Sequence, residues 1–426
     1  MNGKTVLRCL SALFVVPVIV SSAVRAQEAE NIEKYRRSYH AQEELGAELR
    51  GLVTGNNAFA LDLYRRIGEN SGNVFFSPHS ISSALAMTYA GARTTTASQM
   101  KQTLRFTLPQ EKLHAAFKEL SNKLVSREKT ERNMTGAGFR LLVAQALWEQ
   151  EGFPVSEDFS ALLAENYGVS PQRLDFQKSP EKAASVINEW IGDRTERKIT
   201  NILQPRSLTA ETKLVLANTI YFEAKWSAPF VTAVTCEEPF FLHDGGSVTV
   251  PMMSQKMEFG YTEGDTYQAL EKTYSADMSM VVLLPRPGCF EEFDRSLTIE
   301  RIQAIIDGFG WEIVVLKLPA FSFESNTLGL KEMLIGMGMT DAFSSGADFS
   351  GISKRSGLLI QDVFHKATVT VNEEGTVAAA ATVVAMPTGR FSDTPKEFTV
   401  NRPFIFLIRD IQTGAILFIG RILNPV

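Results

Sequence analysis

Cysteine and histidine are scarce in this chain, whose 426 residues include three of the first and five of the second. There is no Cys-x-x-Cys, no His-Glu-x-x-His and no histidine cluster, so the spacings that build zinc or iron sites are missing and no metal or other cofactor is expected. Also missing are the Gly-x-Ser-x-Gly elbow, a Walker loop and a dinucleotide glycine fingerprint, and none of the histidines lies beside a candidate nucleophile. The chain gives no positive reason to be read as an enzyme. No linker rich in proline, glycine and serine interrupts it, which argues for one large domain despite the length. An excess of basic residues is lacking too: the formal net charge is −5, a poor match to nucleic acid or to an anionic membrane.

Long apolar runs are absent except at the start, where Lys4 and Arg8 precede the stretch Cys9 to Val24 and Val24-Arg25-Ala26 offers small residues for cleavage. Residues 1–26 are read as a signal peptide, too short for a membrane span of ~20 apolar residues. Its removal takes three positive charges, leaving −8 on a secreted, extracellular, monomeric chain. Cys236 and Cys289 then remain, and sequence separation leaves open whether they pair. Residues 27–53 are charged and weakly patterned, an N-terminal extension ahead of the domain at 54–426. The sequon Asn133-Met134-Thr135 is a glycosylation site expected on a surface connection.

What is present is ordinary globular composition, 44% apolar and 21% charged, amply able to bury a core. Asn56 or Asn57 can cap a helix carrying Phe59, Leu63 and Ile67 at four-residue spacing. Asn73 to Phe76 reads as a strand, stopped by Ser77-Pro78, a cap and first-turn proline that open a helix through Tyr89 to Gly91. Lys112 to Arg132 is an amphipathic helix. Leu141 to Trp148 is a buried strand, Ala183 to Leu203 one or two helices, and Lys213 to Trp226 a strand covered on both faces. Turn signals divide 239–285 into several antiparallel strands, and Phe404 to Ile408 with Ala415 to Ile419 form a buried hairpin. Mixed strands and helices in this order imply an α+β fold with large mixed and antiparallel sheets.

The segment His365 to Arg390 organises the rest. It begins as a strand, reaches Gly375, and continues through small residues, with Thr376, Ala378, Ala380, Thr382 and Val384 on one face at period two. That face carries nothing bulky and nothing charged, so the segment is fit to be an exposed loop or a buried strand. From Thr376 to Arg390 it would extend roughly 50 Å at about 3.3 Å per residue. A domain of this size is on the order of 55 Å across. One loop could become one full-length strand.

The residues Glu373-Glu374-Gly375-Thr376 followed by Ala378, Ala379, Ala380 and Ala381 resemble the hinge of inhibitory serpins, the serine protease inhibitor family. Phe76-Ser77-Pro78 onward, Ile187-Asn-Glu-Trp-Ile, Leu216 to Trp226, Asp348-Phe-Ser-Gly and the C-terminal Asn401-Arg-Pro-Phe to Asn424-Pro resemble that family's signatures in its order. The resemblance implies a serpin-like fold with an exposed reactive loop over about 373–400. It also implies a target serine protease that attacks the loop and is trapped as the acyl-enzyme when the loop enters the main sheet. It places Ser77, Ser80, Asn218 and His365 in the shutter and Trp226 in the breach. Some members bind heparin along the helix matching 112–132, but here Glu111, Glu119, Glu128 and Glu131 interleave with the cations, as on a solvated face.

Family spacing puts the acyl-donating residue at Gly389, giving Gly389–Arg390 as the reactive bond. Chemistry favours Arg390–Phe391, because arginine can pair with the aspartate of a trypsin-like pocket and glycine offers no side chain. The expected function is therefore inhibition of trypsin-like serine proteases. A non-inhibitory carrier or chaperone is the alternative; it would show charged or bulky hinge residues. This chain departs from the family at Val377, where a glutamate is common, and at Ala320, where some members carry a lysine that pairs with the hinge glutamate.

Overall fold

The computed structural model describes residues 45–69, 72–135, 139–204, 206–376 and 394–426, without the side chains of 128–135. The elements begin with α1 (Ala47–Gly68), β1 (Val74–Phe76), α2 (Pro78–Tyr89), α3 (Thr94–Thr103) and α4 (Gln110–Thr135). Next come β2 (Phe139–Gln150), α5 (Glu157–Tyr167), β3 (Gln172–Leu174), α6 (Pro180–Arg194) and β4 (Leu214–Lys225). An antiparallel run follows: β5 (Cys236–Phe241), β6 (Ser247–Glu263), β7 (Tyr267–Thr273) and β8 (Met278–Pro285). Helices α7 (Phe290–Arg295) and α8 (Ile299–Asp307) lead to β9 (Gly310–Pro319), β10 (Phe321–Glu324), β11 (Leu328–Gly329) and α9 (Lys331–Gly336). The last strands are β12 (Val363–Val371), β13 (Gly375–Thr376), β14 (Lys396–Thr399), β15 (Phe404–Asp410) and β16 (Ile416–Ile422).

Among the described residues these strands form two sheets. One runs β10-β12-β13-β4-β2-β3, with β11 on β12; the other runs β1-β16-β15-β8-β7-β6-β9-β14, with β5 on β6. The α+β reading with large mixed sheets stands. Between the sheets lies α2, every residue of which is buried. Its sequence explains how: Ser77 caps it by accepting from the Ser80 amide, Pro78 fills the first turn, and Ser80, Ser82, Ser83, Ala84 and Ala86 let backbones approach closely. Strand β4 is covered on both sides as its nearly continuous hydrophobicity implies. Leu216, Ile220 and Phe222 join the main core, while Val215, Ala217 and Tyr221 join a second cluster beneath α6. The C-terminal hairpin β15–β16 is wholly buried, and Gly420 gives up its side chain to Phe406 across the ladder: a Cβ there would lie 2.4 Å from that ring.

One local expectation changes, and two readings left open are decided. Asn56 and Asn57 do not cap a helix; α1 starts at Ala47, with Leu49, Leu52 and Val53 buried, so the stretch expected as an extension contributes its end to the domain. Both asparagines lie mid-helix because each has a tertiary partner. Asn56 accepts from Ser82 Oγ at 2.7 Å, and Asn57 donates to the Gly414 carbonyl and accepts from the Ile416 amide, both at 2.9 Å. Between 183 and 203 only α6 is an α-helix. It stops at Arg194, where the Thr195 hydroxyl bonds the Ile191 and Ile199 carbonyls and accepts from the Ile199 amide. Finally, Cys236 and Cys289 are separate free thiols.

The bonds of Asn57 tie α1 to the turn that closes the last hairpin. In Asn57→Leu a buried carbonyl and amide lose their partners, at about 1–3 kcal/mol for an unsatisfied group. The urea midpoint should fall accordingly; an unchanged midpoint would remove Asn57 from any anchoring role.

Candidate functional site

Strands β12 and β4 pair in parallel from Val363–Leu216 to Thr368–Tyr221. Beyond that point they part, and β13 stands between them, Thr376 opposite Val371 on one side and Gly375 and Thr376 opposite Lys225 and Ala224 on the other. Only glycine fits at 375, since a Cβ would sit 2.1 Å from the Ala224 carbonyl oxygen. Thr376 is fully buried, and its hydroxyl shares a 2.7 Å hydrogen bond with the Tyr274 phenol, which burial pushes well up in pKa. The side chain of Thr376 therefore points inward.

The turn that delivers Gly375 is held from both ends. Asn372 Oδ1 accepts from the Glu374 and Gly375 amides, each at 3.1 Å, and the Asn372 amide donates to the Gly375 carbonyl at 2.9 Å. From the end of β4, the Trp226 amide donates to the Glu374 carbonyl and the Phe230 amide to the Glu373 carbonyl, both at 2.8 Å, while the Trp226 indole donates to the Asn372 carbonyl at 3.0 Å. Trp226 lies flat on Tyr274, ring centroids 4.0 Å apart. The Glu373 carboxylate accepts from Thr235 Oγ1 at 2.8 Å, so with alanine at 320 the hinge glutamate has found a hydroxyl partner.

Deeper in the sheet, Ser77, Ser80, Asn218 and His365 come together, all fully or almost fully buried. The Ser77 amide donates to His365 Nε2 at 3.1 Å, which fixes the proton on Nδ1, 3.3 Å from Asn218 Oδ1. Ser80 Oγ donates to that same oxygen, and Asn218 Nδ2 returns a bond to the Ser80 carbonyl at 2.9 Å. Every polar group of this cluster sits on α2, on its cap Ser77, or on the paired stretch of β4 and β12. Burial presses His365 down to about 3, so the ring is neutral and the cluster uncharged.

Other expected positions fare differently. Ala378, Ala379, Ala380, Ala381, Gly389, Arg390 and Phe391 lie outside the described residues, as does the segment 1–26. Asn133 falls in the last turn of α4 rather than on a connection, and its side chain is outside the description. Along α4, Lys112 pairs with Glu48, Lys118 with Glu165, and Arg127 turns inward to the buried Asp410. What the sequence did not single out is the support of the hinge: Asn372, Phe230, Thr235, Tyr274 and, behind them, Lys272. None of them had a local signal in the chain.

A family model described as "Serpin (serine protease inhibitor)" matches residues 54–425. An uncharacterized serpin-like protein of Thermococcus kodakarensis is 40% identical over 377 residues, covering 88% of this chain and 86% of that protein. Leukocyte elastase inhibitor of Bos taurus is 37% identical over 386 residues, covering 88% and 99%. Among solved structures, human thyroxine-binding globulin complexed with its hormone superposes with a TM-score of 0.79 at 29% identity, covering 89% and 100%.

The depressed pKa of His365 carries a sign. A ring that titrates near 6.5 unfolded and near 3 folded contributes stability above pH 6.5 that is lost as the pH falls towards 3. His79 and His114, each held down to about 4 by burial, add in the same direction. The urea midpoint should drop between pH 6.5 and 4, and His365→Gln should flatten that slope by up to about 1.4 kcal/mol per pH unit. Equal slopes in the two proteins would contradict a buried neutral histidine.

Proposed function

This chain belongs to the serpin family, and from that premise we propose that it is a secreted inhibitor of trypsin-like serine proteases, acting as a suicide substrate. The protease serine attacks the carbonyl of Arg390, the bond to Phe391 breaks, and the acyl-enzyme is trapped as the freed loop enters the sheet between β12 and β4. Loop insertion with release of stored strain is a known property of the family and is carried over as such. The residues that enter are those after Thr376, with Ala378, Ala380, Thr382 and Val384 on the inward face.

The observation that carries this reading is the paired hinge. Gly375 and Thr376 already occupy the opening between β12 and β4, ladder-bonded on both sides. Further insertion lengthens an existing strand and needs no new nucleus. Each added ladder bond contributes about 0.5–1.5 kcal/mol net, and the small uncharged face asks for no buried charge. The uncleaved protein is on this account held kinetically. Secretion rests on the character of residues 1–26, and a trypsin-like target on Arg390. The name of the Bos taurus relative points to elastase, which would suit the other bond, Gly389–Arg390.

Cleavage within the loop should raise the thermal midpoint of the wild type. In Ala378→Glu the gain should vanish, because insertion would bury an unpaired charge at a cost of several kcal/mol, and the variant should be turned over as a substrate. Differential scanning calorimetry of intact and nicked protein checks this: equal midpoints in the wild type would overturn the inhibitory reading in favour of a substrate-like serpin.

The reactive bond is checked separately, by mass spectrometry of the peptide released when a trypsin-like protease forms its detergent-stable complex. A fragment beginning at Phe391 is the expected product. One beginning at Arg390 would shift the target class to elastase-like enzymes.

A further inference from the structure

Lys272 lies on β7 with only 3% of its surface exposed. Its Nζ donates to the Ala228 carbonyl at 2.9 Å and to Gln255 Oε1 at 2.6 Å. Three rings surround it, Phe230 at 4.4 Å, Trp226 at 5.0 Å and Phe259 at 5.5 Å from their centroids. An ammonium in such a cage is stabilised by the ring faces and by its two acceptors, yet it has been taken out of water.

The charged groups on the elements around it are Lys225 at the end of β4, Lys256, Glu258 and Glu263 on β6, the last paired with Lys396 and Arg286, Glu271 on its own strand, and Glu373 and Glu374 in the hinge turn. Glu271 is engaged by Arg409 at 3.0 Å and Ser279 at 2.6 Å, and Glu373 by Thr235. Among the described residues no carboxylate pairs with Lys272 within 4.0 Å. Tyr274 stays protonated at neutral pH because burial raises it.

The roof of this cage is also the grip on the hinge. Trp226 and Phe230, whose rings cover the amine, are the residues whose backbone amides hold Glu374 and Glu373, and the Trp226 indole holds Asn372. Ala228, which accepts from the amine, lies between them in the chain.

We propose that Lys272 positions the hinge as a proton-coupled clasp: the turn 372–374 leaves its place by unroofing this amine, and the unroofing takes up a proton. This deepens the inhibitor reading and rests on it for its significance, since hinge release and reinsertion are steps of the trap. The linkage has one sign. Burial lowers the docked amine from 10.5 to about 7, so the opened cage, where water reaches Nζ, binds the proton more tightly than the docked one. Protons therefore favour opening. From pH 7 upward the docked hinge gains over the open one by up to ~tenfold per pH unit, the limit for one coupled proton. Below pH 7 both states carry the charge and the dependence levels off.

Hydrogen exchange read by mass spectrometry tests this without any protease. Peptides spanning 226–230 and 372–376 are followed from pH 6 to 8.5, each rate divided by its intrinsic rate at that pH, with β15–β16 peptides as internal control. In the wild type, hinge protection should be level up to pH 7 and then climb while the control stays flat. Lys272→Met removes the titrating group at nearly the same volume, and Lys272→Arg keeps a charge that does not titrate. Both should abolish the climb, whatever their absolute protection, so either variant that folds suffices. A wild type with no climb, or a variant with the same climb, overturns the proposal. Because no inhibition is measured, a protein that traps protease but lacks the climb sinks this inference alone. A protein that shows the climb but traps nothing sinks the inhibitor reading alone.

Discussion

Six residue pairs, Val363–Leu216 to Thr368–Tyr221, hold β12 against β4, and the properties of the loop depend on where that pairing stops. Had the strands continued together to Val371, no opening would exist for Gly375; had they parted sooner, the polar cluster around Asn218 would be uncovered. The contact is parallel, the slightly weaker of the two ladder types. It is flanked by polar devices with opposite duties. Below, uncharged bonds among Ser77, Ser80, Asn218 and His365 tie both strands to α2. Above, Trp226, Phe230 and Asn372 hold a short strand in the gap through backbone groups.

The other sheet is locked where this one is poised. Glu271, Ser279 and Arg409 lie side by side on β7, β8 and β15, an ion pair and a hydroxyl that satisfy one another out of reach of water. Next to Arg409, Asp410 accepts from the Thr413 amide at 2.9 Å and from its hydroxyl, shaping the hairpin turn, and takes Arg127 from α4. Sliding these strands by one residue would strand a buried charge, a penalty of several kcal/mol. That sheet is a fixed frame against which the first can part.

Much of this was legible in the chain because it depends on local pattern. The nearly continuous apolar run of β4, the Ser77-Pro78 start of α2 and the paired runs of the last hairpin state their own structure. Of the hinge, the structure describes Gly375 and Thr376 in the gap between two strands, while the small residues after them, on which the sequence reading also leaned, lie outside the described residues. The failures share a cause. Asn56 and Asn57 look like caps, and only the distant Ser82, Gly414 and Ile416 explain why they lie mid-helix. Arg127 looks like one more surface cation on α4 until Asp410, far along the chain, is placed beside it. Lys272 belongs to a strand with no marked pattern and Tyr274 follows its end, and their meaning comes from being brought beneath Trp226 and Thr376.

Trp226 is joined to its surroundings in two ways at once, its ring stacked on the Tyr274 phenol with planes 9° apart and its N–H on the Asn372 carbonyl. The emission of an indole answers both to an aromatic neighbour and to the partner of its N–H. An indole bonded to the carbonyl of the turn at 372–374 is thus a built-in optical label at the joint. With Trp148, Trp190 and Trp311 replaced by phenylalanine, any movement of that turn would be read in the light this one side chain gives off, with no dye attached.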